Sequence, residues 1–120
     1  MNGIKYLLDT NIIIGVLKGN EQAVSLTRGM NLSTCAFSAI TRMELLGFPD
    51  ITEHEYQAIS ALLSGMTRLT LTTAIEDETI RLRRKRRLKL PDAVIVSTAA
   101  TYNLQLITLD KQLITDRKTT

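Results

Sequence analysis

Four acids border segments that are otherwise apolar: Asp9, Glu44, Asp92 and Asp110. Asp9 ends the run Tyr6-Leu7-Leu8, and Asp110 ends Leu104-Gln105-Leu106-Ile107-Thr108-Leu109. Asp is depleted within strands, so each marks a strand's last residue or the step after it. Glu44 is the only acid between Ser38 and Gly47, and Asp92 follows Leu90-Pro91 at the head of a long apolar stretch. Carboxylates forced together repel and raise one another's pKa unless a cation neutralises them. Oxygen ligands with room for water suit Mg²⁺ or Mn²⁺, and the chain has no Cys/His set for zinc. Such a cation can activate water and neutralise charge that builds on a phosphoryl group.

The elements that must position these acids follow from apolar spacing and stop signals. Ile4 to Leu8 predicts a strand, and Asn11 to about Lys18 a helix stopped by Gly19-Asn20. A second short helix is expected over Glu21 to Arg28, and a buried strand over Leu32 to Phe37. Ser38 is placed as the N-cap of a helix ending before Gly47. Thr52 and Glu55 have capping-box spacing, as do Thr73 and Glu76. Between the two helices they open, Arg68 to Leu71 alternates like a short strand. Pro91 fits the first position of a largely buried helix that runs to Asn103, with Asp92 in its first turn. Leu104 to Leu109 is the last expected strand, and the polar tail over residues 115–120 is expected to fray.

Alternating strands and helices imply an α/β fold, with a mainly parallel central sheet of four or five strands and helices on both faces. If the strands before Asp9 and Asp110 are parallel neighbours, both acids emerge at the carboxyl edge, where open α/β sheets bind ligands.

Length and composition bound the rest. The 120 residues suit one domain, and 44% apolar with 22% charged residues is ordinary for a folded globular chain. No apolar run is long enough to cross a bilayer, and Asp9 ends the first one too early for a secretory signal. The lone Cys35 cannot form an internal disulfide, so a cytoplasmic, reduced setting is expected. The net charge of +3 conceals an asymmetry, because Arg81, Arg83, Arg84, Lys85, Arg86, Arg87 and Lys89 hold seven of the 15 basic residues. Without them the chain has 8 basic against 12 acidic residues, a net of −4. That strip is a candidate footprint for a polyanion, just upstream of Asp92.

Four segments together resemble the signature segments of PIN domains, most of all the VapC-type toxins of bacterial toxin–antitoxin pairs. They are Leu7-Leu8-Asp9-Thr10-Asn11, Thr41-Arg42-Met43-Glu44-Leu45-Leu46-Gly47, the stretch from Leu90-Pro91-Asp92 to Ala99, and Leu106-Ile107-Thr108-Leu109-Asp110-Lys111. The resemblance implies a PIN-like fold and a Mg²⁺- or Mn²⁺-dependent endoribonuclease. Asp9, Glu44, Asp92 and Asp110 would be its catalytic and metal-binding acids, and Thr10, Asn11 and Thr108 its supporting polar groups. It also implies a cognate VapB-like antitoxin and a homodimer, possibly within a larger toxin–antitoxin complex. The basic residues Arg83, Arg84, Arg86, Arg87 and Lys89 would contact RNA, the antitoxin or both. Two departures stand out. Leu113 replaces an aromatic residue often found shortly after the fourth acid, and the chain stops at Thr120 where the family usually continues into a further strand. Asp116 is the alternative fourth acid, ranked below Asp110 because no apolar strand precedes it.

Each acid also has a plain reading, as a helix cap, a first-turn dipole partner or a turn former. It is the four together that favour a metal site. A non-catalytic RNA- or protein-binding PIN-like module is the runner-up function. A phospho-acceptor aspartate enzyme ranks well behind, since no second acid stands two residues after Asp9 and Asp50 lies in a Pro-containing loop. His54 reads as a surface residue and Cys35 as core.

Overall fold

The computed structural model describes residues 3–114. In chain order its elements are β1 (Tyr6–Leu8), α1 (Thr10–Leu17), α2 (Glu21–Thr27), a 3₁₀ turn (Leu32–Thr34), β2 (Cys35–Ser38), α3 (Ala39–Leu46), α4 (Glu53–Ser64), β3 (Thr67–Leu69), α5 (Thr73–Lys85), α6 (Leu90–Thr101) and β4 (Gln105–Ile107). Among the described residues the strands form one four-stranded sheet in the order β3-β2-β1-β4, with every neighbouring pair parallel. This is the expected PIN-like α/β architecture. β1 is central, with Leu7 opposite Ala36 of β2 and Leu106 of β4.

Successive strand residues point to opposite faces of the sheet, and the two cores follow that alternation. Leu7, Ala36, Leu69 and Leu106 pack with Leu82 of α5 and with Ala93, Ile95, Val96 and Ala99 of α6. Leu8, Cys35, Phe37 and Ile107 pack on the other face with Ile12 and Ile13 of α1, Ala23 of α2, Leu45 of α3 and Leu63 of α4. The apolar runs therefore need no polar alternation, as expected for strands covered on both sides.

Side chains cap five of the helices α1 to α6. Asp9, Asn20, Ser38, Thr52 and Thr72 each accept a backbone N–H in the first turn of the helix that follows. The box between Thr52 and Glu55 forms as expected. The second does not, because Thr72 rather than Thr73 is the cap and accepts the Ile75 N–H at 3.2 Å. That places Glu76 one position beyond the residue that closes a box. The strand expected from Leu32 is a 3₁₀ turn as far as Thr34 and extended only from Cys35. Pro91 occupies the second helical position, with Lys89 as N-cap, and α6 ends at Thr101, two residues early. At the expected helix end Asn103 is left-handed, with φ of 54°, which turns the chain into β4. The tail over 115–120 and the alternative acid Asp116 lie outside the described residues.

Gly15 is required where α1 meets α2, since a Cβ there would stand 2.6 Å from the Ala23 Cβ. In α6 every residue from Ala93 to Ala99 is buried, and one polar atom there lacks a partner. Ser97 Oγ is the buried side-chain polar atom with no hydrogen bond among the described residues. A buried, unpartnered hydroxyl costs about 1–3 kcal/mol. Ser97→Ala is therefore expected to raise the melting temperature by a few degrees, and a fall on thermal denaturation would contradict this account.

Candidate functional site

Because β1 and β4 are parallel neighbours, the chain leaves both at the same edge. Asp9 directly follows β1, and its N–H donates to the Ile107 carbonyl of β4 at 2.9 Å. Its extended backbone makes it the N-cap of α1. Oδ1 accepts the Thr10 N–H at 2.7 Å, and Oδ2 accepts the Thr108 hydroxyl at 2.7 Å. Asp9 is 5% exposed. Burial pushes its pKa up against the two hydrogen bonds, and the nearby charges of Asp92 and Glu44 push the same way.

Thr108, itself buried, joins three groups. It donates to Asp9, and its oxygen accepts the Asp110 N–H at 3.0 Å and the Asn11 Nδ2–H at 3.4 Å. Asn11 Oδ1 in turn accepts the Leu109 N–H at 3.2 Å. The three residues named as supporting polar groups therefore all touch the acid edge. Asp110 lies three residues beyond β4 rather than on its end, because the strand stops at Ile107. Its Oδ1 accepts the Gln112 N–H at 3.0 Å, so it caps the helical turn over residues 111–114 while also facing the site.

Asp92 enters from the first turn of α6. Its pKa is raised mainly by burial, then by the charges of Asp110 and Glu44, with Lys89 opposing. Glu44 reaches in from α3, where its Oε1 accepts the Thr10 hydroxyl at 2.7 Å. The four acids thus form one electrostatic neighbourhood built from β1, α3, α6 and the segment after β4. Among the described residues, no three His, Cys, Asp or Glu side chains make a ready-made metal cage. That arrangement still fits Mg²⁺, which takes one or two carboxylates and fills its remaining positions with water or phosphate oxygens. The donors are all oxygen, and a cation would neutralise the charges that Asp9 and Asp92 bring to one edge.

Thr41 of α3 was not singled out from the sequence. It is fully buried at 0% exposure, and its hydroxyl stands 3.0 Å from Thr10 Oγ1. The available signal was its spacing three residues before Glu44, which puts both on one side of a helix. The basic strip divides at the end of α5. Arg83, Arg84 and Lys85 form the last helical turn, Arg86 is the C-cap, and Lys89 is the N-cap of α6. Arg83 Nε donates to the Leu88 carbonyl at 3.4 Å, which ties the linker back to α5. Arg81 instead pairs with Glu78 at 2.7 Å. Arg84, Arg87 and Lys89 are exposed, while Arg86 is half-buried. His54 is exposed and Cys35 buried, as expected. A shallow cleft of about 410 Å³ lined by Ala74, Asp77, Glu78, Arg81, Ala100 and Thr101 lies along α5 and α6, and none of the four acids lines it.

A parallel α/β domain with carboxylates gathered at the carboxyl edge of its central strands is the class that fold and site define. The profile of the PIN domain family matches residues 6–117. The chain belongs to the PIN domain family. Solved structures agree. A chain of the toxin–antitoxin complex from Klebsiella pneumoniae is 32% identical with a TM-score of 0.78, over 90% of this chain and 88% of that one. VapBC-1 from nontypeable Haemophilus influenzae is 24% identical with a TM-score of 0.78, over 97% and 94% of the two chains. DNA-bound VapBC from Salmonella typhimurium is 21% identical with a TM-score of 0.76, over 93% and 91%. A search of curated proteins gives no match. The resemblance carried by four short segments is borne out, in the family and in neighbours drawn from toxin–antitoxin complexes.

Proposed function

We propose that this PIN-domain protein is the VapC-type toxin of a toxin–antitoxin pair and acts as a Mg²⁺- or Mn²⁺-dependent endoribonuclease. The observation that carries the reading is the convergence of Asp9, Glu44, Asp92 and Asp110 on one edge, with Asp9 pushed up in pKa by burial and by the charges of Asp92 and Glu44, and Asp92 by burial and by the charges of Asp110 and Glu44. Asp9, Asp92, Asp110 and Glu44 are the oxygen donors available to the cation. When bound, the cation supplies Lewis acidity toward a phosphoryl group and neutralises the acids.

The chain's own residues do the rest. Thr10 and Thr108 hold Asp9 in one orientation and leave each of its oxygens a free lone pair. Asp92 is the better placed of the two candidate bases, Asp92 and Glu44, because the Glu44 carboxylate already accepts the Thr10 hydroxyl. In the hydrolytic step a water oxygen bonds to phosphorus, Asp92 takes the water's proton, and the bond from phosphorus to the leaving sugar oxygen breaks. That oxygen picks up a proton from solvent. Glu44 is exposed and Asp92 and Asp110 are half-buried, which suits a polymeric substrate.

The match to a toxin–antitoxin complex at 32% identity supports a VapB-like antitoxin partner. Met43, Phe48, Ile80 and Leu90 are each more than half exposed. Large apolar side chains left open in this way suit coverage by protein, either the antitoxin or a second copy in a homodimer. Among the described residues no helix is long and apolar enough to cross a membrane, and a cytoplasmic RNA target fits that.

Cleavage of single-stranded RNA with and without Mg²⁺ tests the reading. Metal-dependent cleavage is expected. RNA binding with no cleavage and no divalent-ion uptake by calorimetry would overturn it in favour of a non-catalytic module. The exposed basic residues carry a further expectation. Arg84→Gln with Arg87→Gln should flatten the slope of log affinity against log salt by about 1.4, near 0.7 for each lost single-strand phosphate contact. An unchanged slope assigns the strip to the antitoxin alone.

A further inference from the structure

We infer that Thr41 is a positioning residue whose buried hydroxyl donates to Thr10 and thereby commits the Thr10 proton to Glu44. The role rests on the ribonuclease reading, but the hydrogen-bond relay does not. Thr10 Oγ1 stands 2.7 Å from Glu44 Oε1 and 3.0 Å from Thr41 Oγ1. A hydroxyl has one proton to donate. Thr10 donates it to Glu44 Oε1, the shorter of its two contacts at 2.7 Å. The Thr41 proton must then lie between Thr41 and Thr10, and the relay runs Thr41 to Thr10 to Glu44.

Other helical threonines show what Thr41 does not do. Thr27, Thr79 and Thr98 donate to the carbonyls of Ala23, Ile75 and Val94, four residues back in their own helices. Thr41 is the third residue of α3, and the residue four back is Phe37 in β2. No carbonyl of its own helix lies at that spacing, so the hydroxyl reaches across to α1. Burial of Thr41 on every side holds the donor still.

Glu44 needs such help more than the other acids. It is exposed, and the Thr10 hydroxyl is the partner the structure gives its carboxylate. A donor that itself accepts a hydrogen bond is polarised and donates more strongly. Thr41 therefore steers Glu44 toward the edge that Asp9 and Asp92 occupy, without touching substrate or cation.

Thr41→Val keeps the shape and deletes the hydroxyl, and Thr41→Ser restores it. The first measurement is a double-mutant cycle on thermal stability of the metal-free protein with Thr41→Val, Glu44→Ala, which removes the acceptor of the Thr10 hydroxyl, and the pair. It requires neither RNA nor metal, so it separates this inference from the functional proposal. Thr41→Val should lower the melting temperature in the wild-type background and clearly less in the Glu44→Ala background, with Thr41→Ser close to wild type. Equal shifts in both backgrounds would overturn the relay. The second measurement is RNA cleavage with Mg²⁺. Thr41→Val should lower kcat about fivefold, the size of one neutral hydrogen bond, with KM within twofold and Thr41→Ser restoring the rate. A wild type that cleaves no RNA while the cycle shows coupling would overturn the ribonuclease reading and keep the relay. Unchanged kcat in Thr41→Val would overturn the positioning role.

Discussion

Asp9→Asn is expected to lower Mg²⁺-dependent RNA cleavage by about 100-fold or more while leaving the metal-free protein at least as stable as wild type. The activity estimate starts from the tenfold to 100-fold cost of removing a group that merely supports a metal ligand. Asp9 is proposed as a ligand itself, so its loss belongs at or above the top of that range. The stability estimate follows from burial. An Asp9 carboxylate held at 5% exposure without a cation is a charge the fold would rather not keep, as its raised pKa records. An amide has no charge to desolvate and still accepts the Thr10 N–H.

The same shift has a pH signature. A carboxyl with a raised folded pKa binds more protons folded than unfolded, between its ordinary value of 3.8 and its folded value. Stability then falls as pH rises through that window. Glu55 and Glu78 act in the opposite sense, since hydrogen bonds hold both below the usual range. Comparing wild type with Asp9→Asn cancels them. Wild type should lose stability relative to the variant as pH rises above 3.8, and the difference should level off above the folded pKa. Adding Mg²⁺ should reverse it in wild type only. A variant that loses activity together with many degrees of melting temperature would show that Asp9 serves the fold rather than the chemistry.

Leu7→Ala is expected to cost roughly 2–5 kcal/mol of stability, the range for emptying a leucine site in a packed core. Leu7 is 0% exposed in the central strand, between Ala36 and Leu106. Ala36 is too small to fill the space left behind, which argues for the upper half of that range. A whole domain is typically stable by only about 5–15 kcal/mol, so much of this protein's margin would go. The site is tied to the same strand, because the Asp9 N–H donates to Ile107 across β1 and β4. Chemical denaturation should show the loss, while kcat per folded molecule, measured well below the melting temperature, should change little. A cost under about 1 kcal/mol would mean that the core repacks around the cavity.

The order of elements was legible because the two core periodicities are clean. Leu7 and Leu8 sit together in a doubly covered strand, Ser38 and Gly47 bracket α3, and Thr52 with Glu55 opens α4. Errors fell where local chemistry offers near-equal choices. Thr72 and Thr73 are both good caps, and only the path from β3 into α5 selects the first. Leu104 and Leu109 look like strand residues, yet β4 keeps only Gln105–Ile107, since the Leu104 N–H donates to the Ala99 carbonyl and the Leu109 N–H to Asn11 Oδ1. In the basic strip, local sequence shows charge but not that Arg83 donates to the Leu88 carbonyl and folds the linker back.

By itself the sequence determined the order of strands and helices, which acids border apolar segments and which family the four segments resemble, because these depend on periodicity and residue type along the chain. It also determined that no zinc set exists. Only the tertiary structure decided how Asp9, Glu44, Asp92 and Asp110 meet, since that depends on the parallel pairing of β1 with β4 and on the angles at which α3 and α6 cross the sheet. Only it revealed Thr41, whose partner Thr10 lies 31 residues away. Hydrogen bonds and charge coupling act through space, and chain order does not encode which distant groups will share it.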